Sequence, residues 1–160
     1  MTADPTLAPL DRLVGTWITE ATHPAMPGVV VHGTVSVDWL EGERFLIHRA
    51  RTDHPDFPDA ITIIGDMERD RVEGGGDTAT RTPPSLRMHY FDSRGVFRVC
   101  ETTVTDDAWR WWRDAAGFSQ RFTGRFADGG DTIIGHSQLC EDDVNWADDL
   151  AITYRRRTGP

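Results

Sequence analysis

From Gly15 onward the sequence consists of short segments of alternating hydrophobicity separated by turn signals, and this regularity restricts the fold more than any other feature. The segment 29–40 shows it most clearly, because every second position from Val29 to Trp39 carries Val, Gly or Trp. A period of two is typical of β-strands that bury one face. The same reasoning predicts strands at Thr16–His23, Val29–Leu40, Arg44–Thr52, Ile61–Arg69, Leu86–Phe91, Val96–Val104, Trp109–Arg113, Phe118–Phe126, Thr132–Cys140 and Leu150–Arg157.

Most connections between these segments are short enough to be hairpins, so each strand is expected to pair with the next. A meander of eight to ten strands either leaves two edges exposed or closes on itself, and closure removes the edges. The sequence therefore predicts an all-β fold, a single antiparallel up-and-down β-barrel. Residues 70–85 interrupt the pattern with Gly74–Gly76 and two prolines. Here we expect either a surface loop, which could form a lid over the barrel mouth, or a weak edge strand.

The segment before the strands contains the helical candidate of the sequence. Pro9 suits the first position of a helix, and Leu10 and Leu13 are spaced three apart. We therefore expect residues 1–14 to form a tail and a short helix that closes the barrel, and residues 15–158 to form the barrel.

The composition excludes several classes of function. A net charge of −9 argues against nucleic acid or an anionic membrane as a partner. Every basic residue is Arg, so Schiff-base chemistry, a pyridoxal-phosphate linkage and a phosphate-loop lysine are excluded. Two cysteines, Cys100 and Cys140, fit a reducing compartment. With no long apolar run and no signal-peptide pattern at the start, the sequence predicts a cytoplasmic protein.

Neither histidines nor acidic residues show the spacing of a metal site. The six histidines are scattered over different segments, without a His-x-His or Cys-x2-Cys arrangement. The acidic cluster 141–149 lacks the glycine and the closing glutamate of a calcium-binding loop. We therefore expect no metal and no cofactor.

Alternation along the strands also assigns side chains to the barrel interior. Phe118 and Phe122 share a face with Gln120, which places a polar amide among aromatic rings, where it needs a partner. The same parity argument on other strands, combined with the polar contacts that a ligand needs, selects five lumen contacts. Tyr90, Gln120 and His136 are expected to form hydrogen bonds with the ligand. Arg98 is expected to pair with an acidic head group, and Trp111 to form an apolar wall. A fully packed wall with these same residues remains the alternative.

Gly15-Thr16-Trp17 follows the short helix and begins the first strand. It resembles the Gly-x-Trp signature of the calycin superfamily, which includes lipocalins and fatty-acid-binding proteins. The resemblance implies a calycin-like barrel in which Trp17 plugs the closed end. It also implies that an arginine from the end of the last strand, assigned to Arg155, packs across that tryptophan.

Three further stretches are similar to a family of bacterial lipocalin-like proteins to which no ligand or reaction is assigned. They are Tyr90–Val99, Gly117–Gly124, and Trp146 together with Asp149-Leu150 and Thr153–Arg156. The likeness extends over most of the chain, from Gly15 to about Arg157, and supports the barrel more than any particular activity.

The function expected from these observations is the binding of a small hydrophobic or amphipathic molecule in the lumen, rather than catalysis. Two alternatives remain open. A lipocalin-like cyclase or isomerase acting on a small apolar substrate would need His136 or Glu101 beside the cavity. A haem-binding protein that resembles the nitrobindins would use His136 as the iron ligand. Formation of a homodimer through an exposed strand or the tryptophan-rich segment also remains open.

Overall fold

The computed structural model describes residues 2–66 and 86–158, and the strands within these ranges form one closed antiparallel barrel. Each of the ten described strands pairs with its successor, and the first pairs with the last. In chain order they are β1 (Gly15–Thr22), β2 (Val31–Trp39), β3 (Phe45–Thr52), β4 (Ala60–Gly65), β5 (Leu86–Asp92), β6 (Phe97–Val104), β7 (Ala108–Arg113), β8 (Ser119–Ala127), β9 (Thr132–Cys140) and β10 (Ala147–Arg156). The predicted all-β up-and-down barrel is confirmed. The segment 70–85, for which a lid or an edge strand was expected, lies outside the described residues.

One end of the barrel is closed by the N-terminal segment. A 3-10 helix, Ala8–Leu13, carries Pro9 in its first turn, and its Leu10 and Leu13 are buried. Trp17 at the start of β1 is also buried, and its indole N–H donates a hydrogen bond of 2.9 Å to the carbonyl oxygen of Leu13. Because Trp Nε1 can only donate, this bond removes the cost of burying the indole. Within the described residues, no helix has the length and apolar character that crossing a bilayer requires.

Arg156, not Arg155, packs across the closing tryptophan. Its guanidinium lies 4.2 Å from the Trp17 ring and donates to the carbonyl oxygens of Val14, Arg12 and Gly130. Arg155 is 58% exposed and forms an ion pair with Glu20 on the outer wall. The period of two is the reason: Tyr154 points into the barrel, so Arg156 shares its face and Arg155 does not.

Glycines on β8 and β9 create the space for the Phe122 ring in the middle of the barrel. A Cβ at Gly135 would lie 2.6 Å from the ring of Phe122, and a Cβ at Gly124 would lie 3.0 Å from it. Both glycines therefore face inward, together with the buried Ile133 and Ser137. The alternate positions of β9 must then face solvent.

Candidate functional site

A cavity of about 570 Å³ occupies the half of the barrel away from the N-terminal helix. Its wall comes from the inner faces of β5 to β10, and its rim includes Ala25 and Met26 from the β1–β2 connection and Asp56–Pro58 from the β3–β4 connection. Met88 and Cys100 belong to the wall and are themselves buried. The volume lies within the range of small-molecule pockets, roughly 300–1,000 Å³.

Four of the five sequence-selected residues line this cavity, namely Tyr90, Arg98, Trp111 and Gln120. Trp111 stacks on Phe122 with a centroid separation of 5.4 Å and an interplanar angle of 12°, which gives the wall a flat aromatic surface. Among the described residues, the Gln120 amide has no hydrogen-bond partner in the protein.

Arg98 is the cation on the wall that lacks a carboxylate partner among residues 2–66 and 86–158. Its guanidinium lies 4.9 Å from the centroid of the Phe118 ring. Arg113 donates a 2.8 Å hydrogen bond to the carbonyl oxygen of Phe118 and so fixes the connection that carries this ring. This cation–π contact holds the guanidinium beside the ring and leaves its N–H donors available for an acceptor.

Tyr90 and Arg94 are organised by a buried carboxylate. Asp92, with a fully buried side chain, accepts hydrogen bonds of 2.8 Å from the Tyr90 hydroxyl and 2.7 Å from Arg94 Nη2. Its other oxygen accepts the backbone N–H groups of Arg94 and Val96. Burial alone would raise the pKa of Asp92, but the bonds from Arg94 and Tyr90 outweigh it and hold that pKa below its usual range. Burial, followed by the bond to Asp92, raises the pKa of Tyr90, so this hydroxyl remains protonated at neutral pH.

A second cluster of polar side chains on the wall links the β1–β2 connection to β10. The sequence analysis did not predict this cluster. His23 Nε2 lies 2.8 Å from Asp149 Oδ1, and the Ser137 hydroxyl lies 3.3 Å from Asp149 Oδ2. The backbone N–H of Ala25 donates to His23 Nδ1, which makes Nε2 the protonated nitrogen of a neutral ring. Both nitrogens are therefore engaged, and the group ties the rim loop to the barrel. No sequence spacing could have revealed it, since His23 and Asp149 are 126 positions apart.

His136 does not line the cavity, and its prediction as a lumen contact is corrected. Its side chain is 51% exposed on the outer wall, where Nε2 lies 3.2 Å from Asp148. The cause is the parity of β9: Gly135 must face inward to leave room for Phe122, so His136 faces outward. Glu101, the other acid–base candidate, alternates with the buried Cys100 and Thr102 and also faces outward.

Two titratable groups lie deeper in the barrel. Burial raises the pKa of the Cys100 thiol to about 11, against the opposing effect of Arg113 and Arg98, so the thiol is neutral. His48 on β3 is buried between Trp109 and Tyr154, with ring centroids 6.0 and 6.5 Å away. Neither of its nitrogens has a partner among the described residues, and desolvation lowers the pKa of this imidazole to about 4.

The fold and the cavity together define a class: an antiparallel up-and-down β-barrel closed at one end, with a lumen at the other. Two solved structures have a similar fold. The crystal structure of Rv2717c from M. tuberculosis is 16% identical, with a TM-score of 0.65, over 98% of this chain and 100% of that chain. The S-type phycobiliprotein lyase CPES from Guillardia theta is 11% identical, with a TM-score of 0.54, over 94% of this chain and 91% of that chain. No protein-family model and no curated protein matches the sequence. At these identities the likeness shows the fold.

Proposed function

We propose that the protein is a lipocalin-like binder that holds a small amphipathic molecule in the barrel lumen. The observation that carries this proposal is the cavity of about 570 Å³, whose wall is mainly apolar and aromatic with a few convergent polar groups. Such a composition is typical of sites that bury the body of a ligand and orient one polar end.

The polar end of the ligand is an acidic or carbonyl group held by Arg98 and Gln120. Both side chains line the cavity and have no hydrogen-bond partner within the described residues, so a ligand acceptor would bind donors that no described protein group uses. Trp111 supplies the flat apolar surface for the body of the molecule. The Tyr90 hydroxyl already donates to Asp92, so its oxygen remains available to a separate donor group of the ligand, such as a hydroxyl.

The two alternatives receive less support from the wall. Haem needs a free imidazole, whereas both nitrogens of His23 are engaged and His136 lies on the outer wall. His48 has two unpartnered nitrogens but does not line the cavity, so no described histidine on the cavity wall offers a free nitrogen to iron. For a cyclase or isomerase, the titratable groups expected beside the lumen were His136 and Glu101, and both face away from it. Binding without turnover is the function that the geometry supports best.

A pair of fluorescent probes tests the proposal. Anilinonaphthalenesulfonate and phenylnaphthylamine share one aromatic skeleton, and only the first carries an anionic group. We expect both to bind in the lumen. The change Arg98→Met should weaken binding of the anionic probe by about 10- to 100-fold, because a hydrogen bond to a charged group contributes roughly 1.5–3 kcal/mol. It should leave the neutral probe unaffected.

Two controls place the probes in the lumen. Arg121→Met removes an outer-wall arginine that stacks on Trp146 and should leave both affinities unchanged. Phe97→Ser removes an exposed outer-wall ring and should also change neither. Binding that follows Phe97 instead of the lumen residues would refute the proposal. Equal weakening of both probes by Arg98→Met would refute the role of the arginine while leaving lumen binding intact. Native mass spectrometry of freshly purified protein should additionally show a retained small molecule.

A further inference from the structure

Strand β10 contains an irregularity close to the open end of the barrel. Its register with β9 shifts between Asp148 and Ala151. Two residues of β10, Asp149 and Leu150, therefore lie opposite the single residue Ser137 of β9, which is the arrangement of a β-bulge. The Ser137 hydroxyl accepts the backbone N–H of Leu150 at 2.9 Å and so satisfies a donor that the ladder leaves unpaired. Bulges are frequent beside functional sites because they redirect a side chain.

The bulge turns the carboxylate of Asp149 into the lumen. Counting back from the buried Tyr154, strict alternation would place Asp148 inside the barrel and Asp149 outside. The structure shows the reverse. Leu150 and Asp149 both line the cavity, whereas Asp148 is 65% exposed beside His136 on the outer wall. A charged group thus takes a place on the cavity wall that the regular pattern of the strand would deny it.

The Asp149 carboxylate has acceptor capacity left for a ligand. A carboxylate offers about four acceptor positions, and the described contacts use one on each oxygen, from His23 at 2.8 Å and from the Ser137 hydroxyl at 3.3 Å. The side chain is 25% exposed, and the space beside it is the cavity. Because the His23 ring that accepts the N–H of Ala25 is neutral, no described cation compensates the negative charge of Asp149.

This carboxylate lies across the lumen from Arg98. Strand β6, which carries Arg98, is four strands from β10 in one direction around the closed barrel and six in the other. Since β1 begins at the closed end and neighbouring strands are antiparallel, β6 and β10 both begin at the open end, with Arg98 second and Asp149 third in their strands. Within the described residues, no ion pair joins the two. The lumen therefore presents a positive and a negative group on facing walls of a mainly apolar space.

We infer that the ligand has two polar ends, an acidic group for Arg98 and a hydrogen-bond donor, either a hydroxyl or an ammonium group, for Asp149. The inference rests on the proposed binding in the lumen and adds the second end of the molecule. A ligand with an acid at one end only would press an apolar tail against the Asp149 carboxylate and displace its water without replacing it, which is unfavourable for a charged group. The ligand class is an apolar hydroxy acid or amino acid with its polar groups at opposite ends.

Displacement of anilinonaphthalenesulfonate from the full chain by three acids tests the inference. Dodecanoic, ω-hydroxydodecanoic and ω-aminododecanoic acid share one carboxylate and one chain, and differ only at the far end. A lumen that offered only apolar surface to that end would bind dodecanoic acid most tightly, because the substituents reduce its apolar character. We expect the opposite order. Each substituted acid should displace the probe at a concentration about tenfold lower than dodecanoic acid does, because its donor meets a charged acceptor.

Asp149→Asn is the matched variant. The amide oxygen of asparagine still accepts the His23 N–H, so the rim loop stays tied while the charge is removed. The advantage of the amino acid over dodecanoic acid should fall below about twofold, and the affinity for dodecanoic acid itself should change by less than about twofold. The control Asp148→Asn removes the neighbouring carboxylate on the outer wall and should preserve the whole preference.

The outcomes separate this inference from the proposed function. It is overturned if dodecanoic acid binds as tightly as the substituted acids, or if their advantage persists in Asp149→Asn. It is also overturned if Asp149→Asn weakens all three acids equally, because the residue then serves only to hold the rim loop. In these cases lumen binding still stands, provided that Arg98→Met weakens dodecanoic acid. If no acid displaces the probe and Arg98→Met changes nothing, the proposed function fails and the inference fails with it.

Discussion

Protonation of His48 should account for much of the acid sensitivity of the protein. The imidazole is buried, neither ring nitrogen has a partner among the described residues, and desolvation lowers its pKa from 6.5 to about 4. In the unfolded chain the ring binds a proton near pH 6.5, whereas in the folded chain it resists protonation until about pH 4. The unfolded state therefore binds more protons in this window, and the free energy of unfolding falls as the pH falls from 6.5 to about 4.

The magnitude follows from the separation of the two pKa values. A fall in pKa from 6.5 to about 4 corresponds to about 3 kcal/mol, the part of the unfolding free energy that protonation of His48 removes. The change His48→Leu replaces the ring with an apolar group and abolishes this contribution. At pH 7 the variant should be about as stable as the unchanged protein, because the neutral imidazole makes no hydrogen bond that leucine would lose.

Urea unfolding measured at intervals from neutral pH down to about pH 4 provides the assay, with tryptophan fluorescence as the probe. The curves of free energy against pH for the unchanged protein and for His48→Leu should diverge below pH 6.5 and differ by about 3 kcal/mol at the acid end. His32→Gln, a change at an exposed histidine, should leave the curve of the unchanged protein in place. Parallel curves for His48→Leu and the unchanged protein would refute the reasoning.

Two further substitutions test how the barrel is packed and closed. Gly135→Ala should destabilise the fold by about 1–3 kcal/mol through overpacking, since its Cβ would lie 2.6 Å from the Phe122 ring. Chemical denaturation should show this loss, while Ile134→Ala on the opposite face stays within about 0.5 kcal/mol, and equal effects would contradict the inward placement. Arg156→Met should cost about 2–3 kcal/mol, because it removes the stacking on Trp17 and several hydrogen bonds to main-chain carbonyls. Arg155→Met, which breaks an exposed ion pair, should cost at most about 1 kcal/mol in the same assay, and a reversed order would show that the closing arginine is misassigned.

The sequence determined the barrel because the signals for strands and turns are local and recur along the chain. Period-two alternation, short turns and the absence of a long helical segment leave few ways to satisfy the backbone other than a meander that closes. On strands with clear parity, such as β8 with Phe122, local alternation also placed the side chains around the lumen correctly. Tyr90, Arg98, Trp111 and Gln120 were all found on the cavity wall for this reason.

Where the two faces of a strand look alike in sequence, only the tertiary structure shows which face points into the barrel. On β9 both faces mix polar and apolar residues, and it is the Phe122 ring from β8 that requires Gly135 to face inward and so turns His136 outward. At the end of β10 three consecutive arginines are equivalent in sequence, and the register with β1 selects Arg156 for Trp17.

The bond between His23 and Asp149, and the burial of His48, likewise depend on partners far apart along the chain. The physical reason is that alternation fixes which residues share a face, whereas contacts between strands decide which face is inside.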